Sequence, residues 1–362
     1  MVILFSMFAS LVTAMVIVMT KGLHGHLSLD GHTGVQKLHS SPTPRVGGLA
    51  LMVGVIAGGF GLSVEFSGLW WLIALSAVPA FVFGLVEDVT KTVGVRARLL
   101  ATICAGLIFC LLTGYRLDRV DVPGADWLLS HWPFAVVFTA FAIGGIANAI
   151  NIIDGVNGLA SGTSIIILSG FALVAWQIGD MQIVAICLIV AGALSGFFLL
   201  NFPLGKIFLG DAGAYATGFV LAVVAVALPA RNAEISPLIG LLALSYPVTE
   251  TMVSIHRRLV REGTHPGQPD RLHLHSLVYR SRALRLARQI GAPQLRNALA
   301  GFLMLGLPVI SSLLMVVFAT SSAFTALSTA VIALIYISIY RKVALLRPVA
   351  REIRLEADAV AR

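Results

Sequence analysis

Three groups of carboxylates and amides stand at the ends of long apolar runs: Glu87 with Asp88, Asn148 and Asn151 with Asp154, and Asp211. Such groups are costly beside hydrocarbon, and a membrane chain that gathers them there uses them for chemistry or transport. In the run Asn148 to Leu159, Asn148 and Asn151 are three apart and share a helix face, while Asp154, Gly155 and Gly158 fall where that helix should break. That pattern implies a pocket edge, with Asn157 beside it. The plainer alternative is that the asparagines join helices by hydrogen bonds.

Asp211 lies in the segment Asn201 to Gly213, at or near the start of the next apolar run. An acid there could simply cap a helix. Gly210 and Gly213 beside it also permit a ligand to approach the backbone, and Lys206 offers a point charge for phosphate. Glu87 and Asp88 close the third apolar run and are followed by Lys91, Arg96 and Arg98. Hard oxygen ligands next to cations suit a magnesium and pyrophosphate site; a helix end with ordinary interfacial charges is the other reading. Farther on, Arg271, His273 and His275 alternate along the chain, and Arg and His donors can clasp a phosphate or sugar. Zinc fits less well, because no Cys is near and the spacing is not a usual zinc pattern.

The elements that must carry these residues are membrane helices. The chain has 362 residues, 58% hydrophobic and 12% charged, against about a quarter charged in soluble domains. Eleven apolar stretches approach the roughly 20 residues that span a bilayer: 2–20, 46–64, 70–86, 98–114, 132–153, 162–178, 181–200, 212–229, 236–255, 298–318 and 322–340. The first has no basic segment before it and is kept as a span. Cys104, Cys110 and Cys187 fall within spans and suggest neither disulfides nor zinc. The expected fold is an all-α integral membrane protein of about eleven transmembrane helices.

Charge orients it. With the N-terminus outside and the C-terminus cytoplasmic, every Lys and Arg except Arg116, Arg119 and Arg231 lies on the cytoplasmic side, as basic residues do in membrane proteins. The net charge of +8 therefore reflects juxtamembrane cations rather than a nucleic-acid groove. The stretch from Arg280 to Arg296 reads as a helix resting on anionic lipid headgroups. Basic residues alone set this orientation, yet it also brings every unusual polar cluster to one face. The expected organisation is a polytopic domain over 1–340, with site loops at 21–45, 87–98, 151–162, 201–211 and 256–297, then a basic tail over 341–362.

Five ordered motifs between Lys37 and His275 resemble the polyprenyl-phosphate N-acetylhexosamine-1-phosphate transferases of glycosyltransferase family 4. They are Lys37-Leu38-His39 through Pro44-Arg45 and Gly47-Gly48, the acidic pair after Gly84-Leu85, the run from Asn148 to Leu159, the run from Lys206 to Gly213, and Pro269-Asp270-Arg271-Leu272-His273-Leu274-His275. The resemblance implies that a polyprenyl (undecaprenyl) phosphate attacks the β-phosphorus of a UDP-N-acetylhexosamine, releasing UMP, with Mg2+ or Mn2+ assisting, at the cytoplasmic face of the plasma membrane. It implies Asp211 and Asn151 as metal ligands, and Asp88 with Glu87 as the group that positions or deprotonates the lipid phosphate. Asp154 would shape the nucleotide-sugar pocket and Arg98 would hold a phosphate. Arg271, His273 and His275 would contact the sugar diphosphate, and Lys37, His39, Asn148, Asn157 and Lys206 would complete substrate binding.

Three positions depart from the family pattern. Glu87 replaces an aspartate and reaches one methylene farther, Asn157 replaces a frequent Asp, and Ser276 ends a run that often continues with His. A phospho-MurNAc-pentapeptide transferase is the alternative within the family. A secondary transporter is the alternative outside it, although its polar residues should sit near the bilayer midplane. Direct attack and a covalent phospho-enzyme intermediate on Asp88 both stay open.

Overall fold

A computed structural model of the protein describes residues 1–30, 42–263 and 270–345. The described chain is helical apart from one short pairing. It begins with α1 (Val2–Met19) and α2 (Lys21–Ser28), followed by strand β1 (Leu29–Asp30), which pairs antiparallel with β2 (Thr43–Pro44). Then come α3 (Gly47–Phe60), α4 (Val64–Thr90), α5 (Val95–Thr113), α6 (Pro123–Leu129), α7 (Trp132–Ile153), α8 (Leu159–Gln177), α9 (Met181–Asn201) and α10 (Gly210–Arg231). The remainder is α11 (Ile239–Ala243), α12 (Ser245–His256), α13 (Leu274–Val278), α14 (Leu284–Gln289), α15 (Arg296–Met304), α16 (Gly306–Phe318) and α17 (Ser322–Ala344).

Among the described residues, nine helical segments are long and apolar enough to cross a membrane, with α15 and α16 counted as one segment. Two further apolar runs differ from a simple span. The run 46–64 yields the 14-residue α3. The run 236–255 breaks at Leu244 into α11 and α12. Pro247 accounts for the break, since it has no N–H to give and its ring crowds the carbonyl one turn earlier.

α10 is the axis of the bundle and is buried on nearly all sides, whereas α1 and α17 bury the smallest shares of their surfaces. Small residues let neighbours approach it closely, the usual basis of helix packing in lipid. A Cβ on Gly84 of α4 would lie 2.6 Å from the backbone of Ala212, so the last turns of α4 press directly on the first turn of α10. On another side, Gly218 of α10 meets Ala147 and Ile150 of α7. The loop before α10 is stitched to the start of α3: Phe208 N–H donates to Pro44 C=O (2.8 Å), and Gly47 N–H donates back to Phe208 C=O (2.9 Å). Arg45 is thereby fixed beside the α10 N-terminus.

The arginine-rich stretch is not one helix on the headgroups. A π turn over Tyr279–Ala283 precedes α14, and a 3-10 turn over Pro293–Leu295 precedes α15. Arg280 is buried and donates to Arg271 C=O (2.7 Å), while Arg296 lies 3.9 Å over the Tyr279 ring and donates to its C=O (2.9 Å). Only Arg282, Arg285 and Arg288, spaced by three, form an outward basic stripe.

Candidate active site

The site begins with a helix end that lacks its own cap. Leu209, at the start of α10, offers no side-chain acceptor, and the first N–H groups of a helix have no partner within it. Asp88 supplies the acceptors from α4: one oxygen takes Asp211 N–H (2.8 Å) and the other takes Ala212 N–H (2.9 Å). Asp88 is 1% exposed, so this is a buried carboxyl held by two backbone dipoles and a cation. That cation is Arg45, whose Nε lies 3.2 Å from Asp88. Gly210 makes the approach feasible, because it adopts φ +76 and any Cβ there would lie 2.6 Å from the Asp88 carboxylate.

Directly beside the capped N–H, the Asp211 side chain receives two guanidiniums, Arg45 on one oxygen and Arg98 on the other. Arg98 also lies 3.8 Å from Glu87, whose second oxygen accepts Val93 N–H (2.9 Å). Glu87, Asp88, Asp211, Arg45 and Arg98 therefore form one connected ionic group. α4, α5, α10 and the segment before α3 each contribute to it.

α7 brings the amides. It runs antiparallel to α10, and the contact of Gly218 with Ala147 and Ile150 carries Asn151 and then Asp154 toward the α10 N-terminus. Protein around Asp154 pushes its carboxyl up to about 7, with Arg45 opposing the rise and Asp211 adding to it. The amide nitrogen of Asn151 is buried without a hydrogen-bond partner. Asn148 points elsewhere, donating to Thr102 Oγ1 (2.9 Å) and Gly144 C=O (2.8 Å), and so ties α7 to α5.

Two amides bind the loops together. Asn201 accepts Gly158 N–H (2.7 Å) and donates to Ile207 C=O (2.8 Å), which links the turn after α7 to the loop before α10. Asn157 donates from its side chain to Pro203 C=O (3.0 Å), and its N–H reaches Asn297 Oδ1 (2.6 Å). Lys206 is exposed. Lys37 and His39 lie outside the described residues.

The histidine segment reaches the turn after α7. The His275 ring lies so close over Gly155 that a Cβ there would collide with Nε2. His275 stacks on His273 at 5.4 Å and 10°, is 3% exposed, and buries Nδ1 without a partner. Burial pushes its pKa down to about 4, with His273 adding to the depression. His273 itself lies between two acids, Glu250 at 3.1 Å and Asp270 at 3.4 Å. Burial favours the neutral form of Asp270, but His273, Leu272 N–H, Ser254 and Arg257 outweigh it and hold the carboxyl down at about 2. Arg271 is half-buried beside them.

Of the expected residues, Asp88, Glu87, Asp211 and Arg98 share one ionic group, Asp154 lies within electrostatic reach of it, and His275 lies over the neighbouring Gly155. Four others play parts that the motifs did not disclose: Arg45, Asn201, Asn297 and Glu250. Glu250 carries a signal, a lone acid inside an apolar run, whereas Asn297 carries none.

No three His, Cys, Asp or Glu side chains among the described residues form a ready metal cluster. The donors nonetheless suit a hard cation such as magnesium, which takes one or two carboxylates and completes its shell with water and phosphate oxygens. Asp211 retains acceptor capacity beyond its two guanidinium bonds, since a carboxylate has about four lone-pair sites. The unpartnered amide of Asn151 is the matching orphan; its oxygen and nitrogen ends are interchangeable by rotation.

An apolar helical bundle with carboxylates, amides and guanidiniums gathered at one end defines an integral membrane enzyme acting on anionic groups. Residues 70–229 match the model of Glycosyl transferase family 4, and the chain belongs to that family. It is 31% identical over 242 residues, 66% of each chain, to the probable undecaprenyl-phosphate N-acetylglucosaminyl 1-phosphate transferase of Bacillus subtilis. It is 28% identical over 251 residues, 68% of each, to the undecaprenyl-phosphate alpha-N-acetylglucosaminyl 1-phosphate transferase of Yersinia pestis. To the phospho-N-acetylmuramoyl-pentapeptide-transferase of Geobacillus kaustophilus it is 31% identical over 199 residues, 51% of this chain and 61% of that one. The aligned regions thus span about two thirds of the length of these curated relatives.

Proposed function

We propose that the protein transfers a phospho-N-acetylhexosamine from a UDP-sugar to a polyprenyl phosphate such as undecaprenyl phosphate, at the cytoplasmic face of the plasma membrane. An oxygen of the lipid phosphate forms a bond to the β-phosphorus of the donor. The bond from that phosphorus to the bridging oxygen breaks, and UMP leaves with the electron pair. The carrying observation is the Asp211 carboxylate, flanked by Arg45 and Arg98, with Asp154 within its electrostatic reach.

Each neighbour has a task in this reading. Asp211 and Asn151 would hold Mg2+, or Mn2+ in its place. When bound, the metal polarises the diphosphate and offsets charge on the leaving phosphate. Arg45 and Arg98 exchange part of their hold on Asp211 for phosphate oxygens, as forked donors can. Glu87, at the edge of the ionic group, faces the lipid phosphate together with Asp88. Asp154 and Asn157 line the nucleotide-sugar side, and Lys37, His39, Asn148, Lys206, Arg271 and His273 complete or support substrate binding. His275 has an unpartnered ring nitrogen to offer the sugar diphosphate. Positioning and electrostatics of this kind supply most of the rate in phosphoryl transfer.

Purified protein supplied with magnesium, undecaprenyl phosphate and a panel of UDP-N-acetylhexosamines should release UMP, and Asp211→Asn should lower turnover at least about a hundredfold, the scale for loss of an electrostatic stabiliser. No UMP release from folded wild-type protein with any donor would refute the reading. The relative from Geobacillus kaustophilus supports a second reading, so the panel includes UDP-MurNAc-pentapeptide; turnover with that donor alone would select it.

A further inference from the structure

Glu250 is 1% exposed in α12, the second half of the broken helix, and nothing in the transfer scheme uses it. A buried acid persists only when it is paired and hydrogen-bonded. One oxygen of Glu250 lies 3.1 Å from His273 Nδ1 and accepts Leu274 N–H at 3.1 Å; the other is 3.3 Å from the same N–H. A carboxylate can only accept, so Nδ1 of His273 carries the proton in this pair.

The two residues held are those immediately before His275. Gripping a side chain and the next backbone N–H fixes both the position and the direction of the chain at the start of α13. Asp270 lies 3.4 Å from the other ring nitrogen. With His273 immobilised, the His275 ring stacks on it nearly parallel and settles over Gly155, the residue after Asp154. An unbroken chain of contacts runs from Glu250 through His273 to His275 and the turn that carries Asp154.

We propose that Glu250 is a positioning residue for donor binding: it sets the His273–His275 arm so that His275 is presented to the nucleotide-sugar diphosphate at the Asp154–Gly155 turn. The proposal rests on the transfer reading above. It differs from a merely structural role, because Glu250 then acts on the donor only through His275.

A double-mutant cycle separates the two. Glu250→Gln, His275→Ala and the double variant are compared by UMP release at varied UDP-N-acetylhexosamine, alongside the thermal shift produced by the same nucleotide sugar. Glu250→Gln alone should lower kcat/KM roughly tenfold, chiefly through KM, as loss of an orienting partner does. In the His275→Ala background it should change kcat/KM by less than about twofold, since coupled residues are not additive. The thermal shift should follow the same pattern. Equal loss in both backgrounds, or none in either, overturns the proposal.

If Glu250→Gln does not fold, Glu250→Asp keeps the charge while withdrawing it by one methylene, and the same comparison applies. Wild-type activity with multiplicative variants removes only the role of Glu250. A wild type that releases no UMP from any donor removes the transfer reading and this proposal with it.

Discussion

Asp88→Ala tests the borrowed cap on α10. Asp88 serves two N–H groups, at 2.8 and 2.9 Å, from a site that is 1% exposed. Leaving a buried donor unsatisfied costs about 1–3 kcal/mol, and loss of a single N-terminal cap costs about 0.5–2 kcal/mol. The Arg45 contact adds little, because that side chain is 27% exposed and water screens such pairs. The expected loss is about 3 kcal/mol, or roughly 4 °C in Tm for a chain of this size. Asp88→Asn keeps one acceptor and turns an N–H toward the other donor, so it should cost about half as much.

Because the capped N–H belongs to Asp211 itself, both variants should also weaken the thermal stabilisation produced by Mg2+. Unfolding in detergent, with and without magnesium, is the assay, and UMP release follows in parallel. A variant with wild-type Tm and wild-type magnesium response but no turnover would refute the reasoning and leave Asp88 a purely chemical role.

Gly84→Ala places a methyl 2.6 Å from the Ala212 backbone, an overpacking cost of about 1–3 kcal/mol; Tm and turnover should both fall, while Gly68→Ala in the same helix, where a methyl meets open space, should leave turnover unchanged and Tm the same or slightly higher. His275 has a folded pKa of about 4 against an ordinary value near 6.5, so the unfolded chain binds more protons between those values. Its contribution is complete above pH 6.5 and is lost as pH falls toward 4. Acidification from pH 7 to 5 should therefore remove about 2 kcal/mol of stability, visible as a Tm drop that His275→Gln flattens. Asp270, held down at about 2, adds a further loss only below about pH 4.

The helices were legible because apolar runs of span length dominate the chain. Composition could not reveal the break at Leu244, since Gly240 to Leu244 is nonpolar and Ser245 adds only one small hydroxyl; Pro247 was the available signal. Nor did it separate the inward Arg280 and Arg296 from the outward Arg282, Arg285 and Arg288, because burial of an arginine depends on a partner such as Tyr279 C=O. In the site, motif spacing brought out Asp88, Asn151, Asp154 and Asp211. It could not show that Asp88 caps a helix 123 residues away, or that Asn201 joins two loops. Such roles depend on which backbone groups a side chain meets, and that is decided by tertiary packing.

The ionic group around Asp211 also bears on what can dock there. Asp88 and Asp211 face Arg45 and Arg98, two acids against two guanidiniums, with Glu87 as a third acid at the edge. A bare dianion would upset that balance more than a bare dication, which the edge acid Glu87 helps to offset. A diphosphate chelated to a divalent cation is close to neutral and leaves the balance intact, which makes the chelate, rather than either component alone, the species best matched to the interior. Nucleotide-sugar analogues that keep the uracil and ribose but replace the diphosphate with an uncharged linker should therefore lose the cooperation between donor and metal, even where their shape is unchanged.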